Sequence, residues 1–69
     1  MTTFGNRLQE LRKSKHLTQK QMAEHFCITL RSYSRYETNA STPHFATLIS
    51  LADYFNVSLD YLVGRSDTP

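Results

Sequence analysis

Two helix starts stand almost back to back in the sequence, and they limit what the chain can become. Thr18-Gln19-Lys20-Gln21 has the form of a capping box, in which the Thr hydroxyl serves the backbone N–H three residues on and the Gln side chain reaches back. Met22, Ala23 and Phe26 then supply an apolar stripe at helical spacing, and the helix is predicted to end near Phe26. Only Cys27 and Ile28 separate that end from Thr29, the next N-cap residue. Helix, tight turn and helix within so short a stretch form a helix-turn-helix. Ala23 is small and lets a second helix approach closely.

The flanking segments are helical too. Phe4, Leu8 and Leu11 lie on one face of a helix predicted from about Thr3 to His16, with Leu17 packing at its exit. After the loop Asn39-Ala40-Ser41-Thr42, Pro43 suits the first position of a helix behind a Thr cap. Phe45, Leu48, Ile49, Ala52 and Phe55 give that helix its apolar stripe, and Asn56 closes it. Ser58 caps a last short helix carrying Leu59, Leu62 and Val63, which Gly64 ends. The expected architecture is an all-α bundle of five helices over residues 1–65, followed by a frayed tail, 66–69. A chain of 69 residues forms one domain, and at this size it buries only about 60% of the surface its unfolded form exposes.

On the helix starting at Thr29, successive residues step by about 100°. Leu30, Arg31, Ser34, Arg35 and Thr38 share one arc, polar and cationic apart from the leucine. Ser32, Tyr33 and Tyr36 share the opposite arc and are expected to face a core. Net charge is only +2, but positive charge dominates residues 1–37 (Arg7, Arg12, Lys13, Lys15, Lys20, Arg31, Arg35), whereas Asp53, Asp60 and Asp67 outweigh Arg65 beyond them. Such polarity suits an N-terminal face that meets a polyanion.

Other chemistries find little support. Cys27 is the only cysteine, so no disulfide forms within the chain, and no base stands at a useful spacing to activate it. His16, His25 and His44 do not have metal-ligand spacing, and there is no Gly-rich phosphate loop. We expect no enzyme activity, no metal and no cofactor. The opening residues lack the pattern of a signal peptide and no stretch is apolar enough to span a membrane, so the expected location is cytoplasmic, without membrane association.

From Phe4 to Arg65 the chain resembles the phage-repressor-like, Cro/C1-type (XRE) helix-turn-helix family. The matching stretches are Arg7-Leu8-Gln9-Glu10-Leu11-Arg12, Leu17-Thr18-Gln19-Lys20-Gln21-Met22-Ala23 and Ser34-Arg35-Tyr36-Glu37. Pro43, Leu51-Ala52 and Val57-Ser58-Leu59-Asp60-Tyr61-Leu62 follow in order. The resemblance implies sequence-specific binding of double-stranded DNA by a transcriptional regulator, usually a repressor, with a recognition helix of about 29–38 in the major groove. Leu30, Arg31, Ser34 and Arg35 match its base-facing positions. Gln19 matches a residue that touches the DNA backbone and can brace the base-reading side chains. Thr29 matches a cap and phosphate-contact position, and Thr38 and Asn39 match a loop that meets phosphate through backbone N–H groups. Arg12 and Glu37 match a structural ion pair between the first and third helices; the alternative is an exposed pair worth less than about 1 kcal/mol.

The family often places Gly at four helix exits, which here hold His16, Cys27, Asn39 and Asn56. Asn and His tolerate positive φ; Cys27, in the turn itself, is expected to be strained. Arg7 and Lys13 are either phosphate contacts or solvated charges, and His44 is a further candidate contact. Tyr54 and Tyr61 belong either to the core or to a dimer contact.

The resemblance also suggests a homodimer on an inverted-repeat operator, with half-sites about 34 Å apart. The last two helices are the expected interface, through Leu59, Tyr61, Val63 or Phe45. Two rivals remain: a protein-interaction or antitoxin-like module of the same fold, which would show an apolar patch on the outer face of the third helix, and the DNA-binding end of a longer regulator.

Overall fold

The computed structural model describes residues 2–69, and among them every regular element is helical: α1 (Phe4–Ser14), α2 (Gln19–His25), α3 (Leu30–Glu37), α4 (Phe45–Phe55) and α5 (Leu59–Leu62). Four of the five starts are capped by a hydroxyl. Thr3, Thr18, Thr29 and Ser58 each adopt extended backbone and accept from the N–H three residues on. At Thr18 both halves of the capping box form.

The fourth helix starts differently from the sequence expectation. Pro43 is not its first residue; His44 is the N-cap, offers no side-chain cap bond, and Pro43 lies buried ahead of it. The first helical turn thus begins two residues later than expected.

All four non-glycine exits take the left-handed conformation, with φ of 58° at His16, 57° at Cys27, 64° at Asn39 and 56° at Asn56. Each ends its helix in the same way. The N–H after the left-handed residue returns to a carbonyl five residues back, as from Leu17 to Arg12, Ile28 to Ala23, Ala40 to Arg35 and Val57 to Ala52. Only one of the four is of a type poorly suited to that backbone. Left-handed φ costs an L-residue roughly 1–2 kcal/mol, part of which glycine returns through its freer unfolded chain. Cys27 is exposed, so its removal loses little packing. Cys27→Gly is therefore expected to stabilise the fold by about 1 kcal/mol in chemical denaturation. No gain, or a loss, would contradict strain at the turn.

Leu8, Met22, Ala23, Tyr33, Leu51, Ala52, Phe55 and Leu62 form the core, with α1, α2 and α3 meeting on one side and α4 and α5 closing the other. Tyr33 is 1% exposed, as its inward arc predicts. The other tyrosines also pack within the chain. Tyr36 meets Tyr33 edge-on, Tyr54 lies 4.5 Å from the His25 ring, and Tyr61 lies beneath the Arg7 guanidinium at 3.7 Å.

One sequence expectation at the periphery needs correction. Arg7 is neither a phosphate contact nor a solvated charge: it is 5% exposed, stacked on Tyr61, with one 3.3 Å contact to Asp67. The tail is tied to the bundle at two points: Ser58 N–H donates to the Pro69 carbonyl at 2.8 Å, and Asp67 reaches Arg7. A buried guanidinium needs a counter-charge, and the tail brings one.

Candidate nucleic-acid interface

The helix-turn-helix is built from α2, the turn Phe26–Cys27–Ile28, and α3. The inner face of α3 is fixed by burial of Tyr33 and Glu37. That burial sets the rotation of the helix and therefore what it shows outward. Leu30 is 48% exposed, Arg31 and Arg35 are exposed, and Ser34 is half-buried between them. Arg31 has no hydrogen-bond or ion-pair partner among the described residues. Arg35 makes one long contact, 3.4 Å, to the Ala40 carbonyl. The surface is thus two outward guanidinium groups, one helical turn apart, beside one leucine and one hydroxyl.

Thr29 spends its hydroxyl on its own helix, accepting from Ser32 N–H and donating to Ser32 Oγ. Thr38 donates its hydroxyl to the Arg35 carbonyl at 3.3 Å and stays exposed. The Asn39 side chain has a second, structural use. Its Oδ1 accepts from Gly5 N–H at 2.9 Å and its Nδ2 donates to Thr3 Oγ1, so the side chain caps α1. The backbone N–H groups of Thr38, Asn39, Ala40 and Ser41 all donate within the chain. In this conformation those donors close the end of α3. The first turn of α4 follows this loop; His44, the further candidate contact of the sequence, is exposed at its cap position and makes no side-chain cap bond.

Glu37 is the hub behind this surface. Arg12 Nε donates to its Oε2 at 2.7 Å and Arg12 Nη2 to its Oε1 at 3.2 Å. Tyr33 OH donates to Oε2 and Gln19 Nε2 to Oε1 at 2.9 Å. Arg12 also donates to the Leu17 carbonyl, which closes the exit of α1. The pair is buried, not exposed. Burial pushes the Glu37 carboxyl up, but the bonds from Arg12, Tyr33 and Gln19 outweigh it and hold the group below its ordinary value. The bond to Glu37 raises Arg12, against the opposing effect of burial. Tyr33 is pushed well above its ordinary value by burial and by its bond to Glu37. One carboxylate thus joins α1, α2 and α3. Among the described residues, no group of three or more His, Cys, Asp or Glu side chains converges as a metal site, and no helix is long and apolar enough to cross a membrane.

Comparison with known proteins agrees with this architecture. A helix-turn-helix family model matches residues 8–62. The HTH-type transcriptional regulator YobD of Bacillus subtilis is 41% identical over 66 residues, covering 96% of this chain and 59% of that protein. The cryptic phage CTXphi transcriptional repressor RstR of Vibrio cholerae is 41% identical over 59 residues, covering 86% of this chain and 53% of RstR. A crystal structure of a transcriptional regulator from Listeria innocua superposes with a TM-score of 0.85 at 35% identity, over 90% of this chain and 58% of that one. The chain therefore spans little more than half the length of these relatives. Shared element order, a match across most of the sequence and this degree of identity place the chain in the helix-turn-helix family of the Cro/C1 (XRE) type.

Proposed function

We propose that the chain binds double-stranded DNA sequence-specifically as a transcriptional regulator, in the manner of a repressor, with α3 in the major groove. The observation that carries this reading is the outward placement of Arg31 and Arg35 on a helix whose other face is locked in the core. An Arg fork donates two parallel bonds to guanine O6 and N7, the commonest specific contact in that groove. Leu30 meets a thymine methyl and Ser34 an adjacent base edge. Gln19 contacts the DNA backbone through its side-chain N–H, and the exposed hydroxyls of Thr29 and Thr38 reach phosphate by turning their protons from Ser32 Oγ and the Arg35 carbonyl, with Asn39 in the adjoining loop. Residues 1–65 are the binding domain.

The interaction-module alternative is disfavoured by the outer face of α3, where one leucine stands among two arginines and two hydroxyls. For the homodimer, α4 is the better candidate surface. Phe45 is 70% exposed and Ile49, one turn on, 37%, whereas Leu59, Tyr61 and Val63 are half-buried. A two-fold pair would grip an inverted repeat. The reading implies a cytoplasmic protein without enzyme activity.

Selection of bound sites from random duplex tests it, and an inverted repeat with guanines in each half-site is expected. A pool that shows no enrichment would refute sequence-specific binding. On the selected site, Arg31→Ala and Arg35→Ala are each expected to cost about 1–3 kcal/mol of binding and to relax preference at one base pair. Competition titrations against single-base variants of the site measure both effects.

A further inference from the structure

The Glu37 carboxylate has more donors than an ion pair requires. Four hydrogen bonds reach its two oxygens: two from Arg12, one from Tyr33 and one from Gln19. An ionised carboxylate only accepts, so the Gln19 amide can meet it with nitrogen but not with oxygen. The amide is therefore held in one of its two flip states. One N–H is committed to Glu37 Oε1, and the second N–H and Oε1 of Gln19 make no bond among the described residues. Gln19 opens α2 and is half-buried, while Glu37 ends α3. This bond thus links the helix that crosses the DNA backbone to the helix that reads bases.

We propose that Glu37 is a positioning residue for DNA contact by Gln19: its carboxylate fixes the Gln19 amide so that the free N–H donates to a phosphate oxygen. This inference rests on the DNA-binding reading above and extends it. A phosphate oxygen, like the carboxylate, only accepts, so the amide nitrogen serves both sides at once, one hydrogen inward and one outward. The backbone contact of α2 and the placement of Arg31 and Arg35 on α3 then share a single register, set through Glu37.

A double-mutant cycle on the selected duplex tests the coupling. Gln19→Ala and Glu37→Gln are each expected to weaken binding about tenfold, and the double variant no more than the worse single one. Tyr33→Phe removes a donor to the other carboxylate oxygen and is expected to lower stability while leaving affinity within about twofold of the unsubstituted protein. Independent, multiplying losses for Gln19→Ala and Glu37→Gln would overturn the proposal. So would an affinity loss in Tyr33→Phe equal to that in Glu37→Gln, which would mark a merely structural role.

Should Glu37→Gln fail to fold, the side-chain amide signals of Gln19 in the unsubstituted protein decide. One proton is expected to exchange slowly in free protein, and the other to shift on adding duplex. Two protons exchanging at the rate of a free amide would refute the clamp. If the unsubstituted protein shows no sequence preference, the DNA-binding reading falls and this inference with it. Preference without coupling removes the inference alone.

Discussion

Glu37→Ala is expected to remove about 3–5 kcal/mol of folding stability, because it leaves the Arg12 guanidinium buried without its counter-charge. A chain of this length has roughly 3–10 kcal/mol in total, so the variant stands near the edge of folding. Arg12 keeps its bond to the Leu17 carbonyl, but Tyr33 and Gln19 both lose an acceptor. Urea denaturation measures the loss. A cost below about 1 kcal/mol would be that of an exposed pair and would contradict the buried network.

The same carboxylate gives the fold part of its acid sensitivity. Its folded value lies below the ordinary one, so the stability it contributes is fully present above the ordinary carboxylate range. That stability is lost as pH falls through the range toward the folded value. Denaturation midpoints for unsubstituted protein should decline with acid through this window, and a conservative Glu37→Gln variant should decline less. Equal slopes for the two would contradict the assignment.

Gly5→Ala is the second large effect, and its sign is the informative part. Inside an ordinary helix, replacing Gly by Ala stabilises by roughly 0.5–1 kcal/mol. Here a Cβ would stand 2.8 Å from the Tyr36 carbonyl oxygen and closer still to that of Glu37. Both are backbone atoms, so no side chain can swing aside; the start of α1 must move away from the end of α3. Such overpacking costs about 3 kcal/mol, and the displacement also strains the Gly5 N–H bond to Asn39 Oδ1. Thermal or chemical denaturation of Gly5→Ala should show this loss. A stabilised variant would mean that α1 and α3 do not meet so closely.

How much of this is legible in the sequence depends on whether a feature is local. Caps, apolar stripes and the two-residue turn are properties of neighbouring residues, so the five helices could be read directly. The left-handed exits at His16, Cys27, Asn39 and Asn56 followed from their place in the family pattern, since φ is also local. Gly5 had no signal, because its small size matters only to a helix distant in sequence. Arg7 gave the wrong signal: a surface arginine and one buried on Tyr61 look alike until α5 is placed. The cap that the Asn39 side chain makes with Thr3 and Gly5 had no signal either, because those partners are distant in sequence. Pro43 shows the limit of a local rule, since it lies buried ahead of α4 instead of opening it. On the recognition face, the arc of outward residues could be read because a helix of known period needs only its inner face to be identified, and Tyr33 identified it.

Replacing single guanines of the selected site with 7-deazaguanine tests the central claim most directly, because it deletes the N7 acceptor in the major groove and leaves base pairing intact. The account predicts about a tenfold loss of affinity at two positions in each half-site. Arg31→Ala should become indifferent to one of those positions and Arg35→Ala to the other. Binding that ignores every such replacement, yet responds to changes in the minor groove, would contradict a reading helix held in the major groove by these two guanidinium groups.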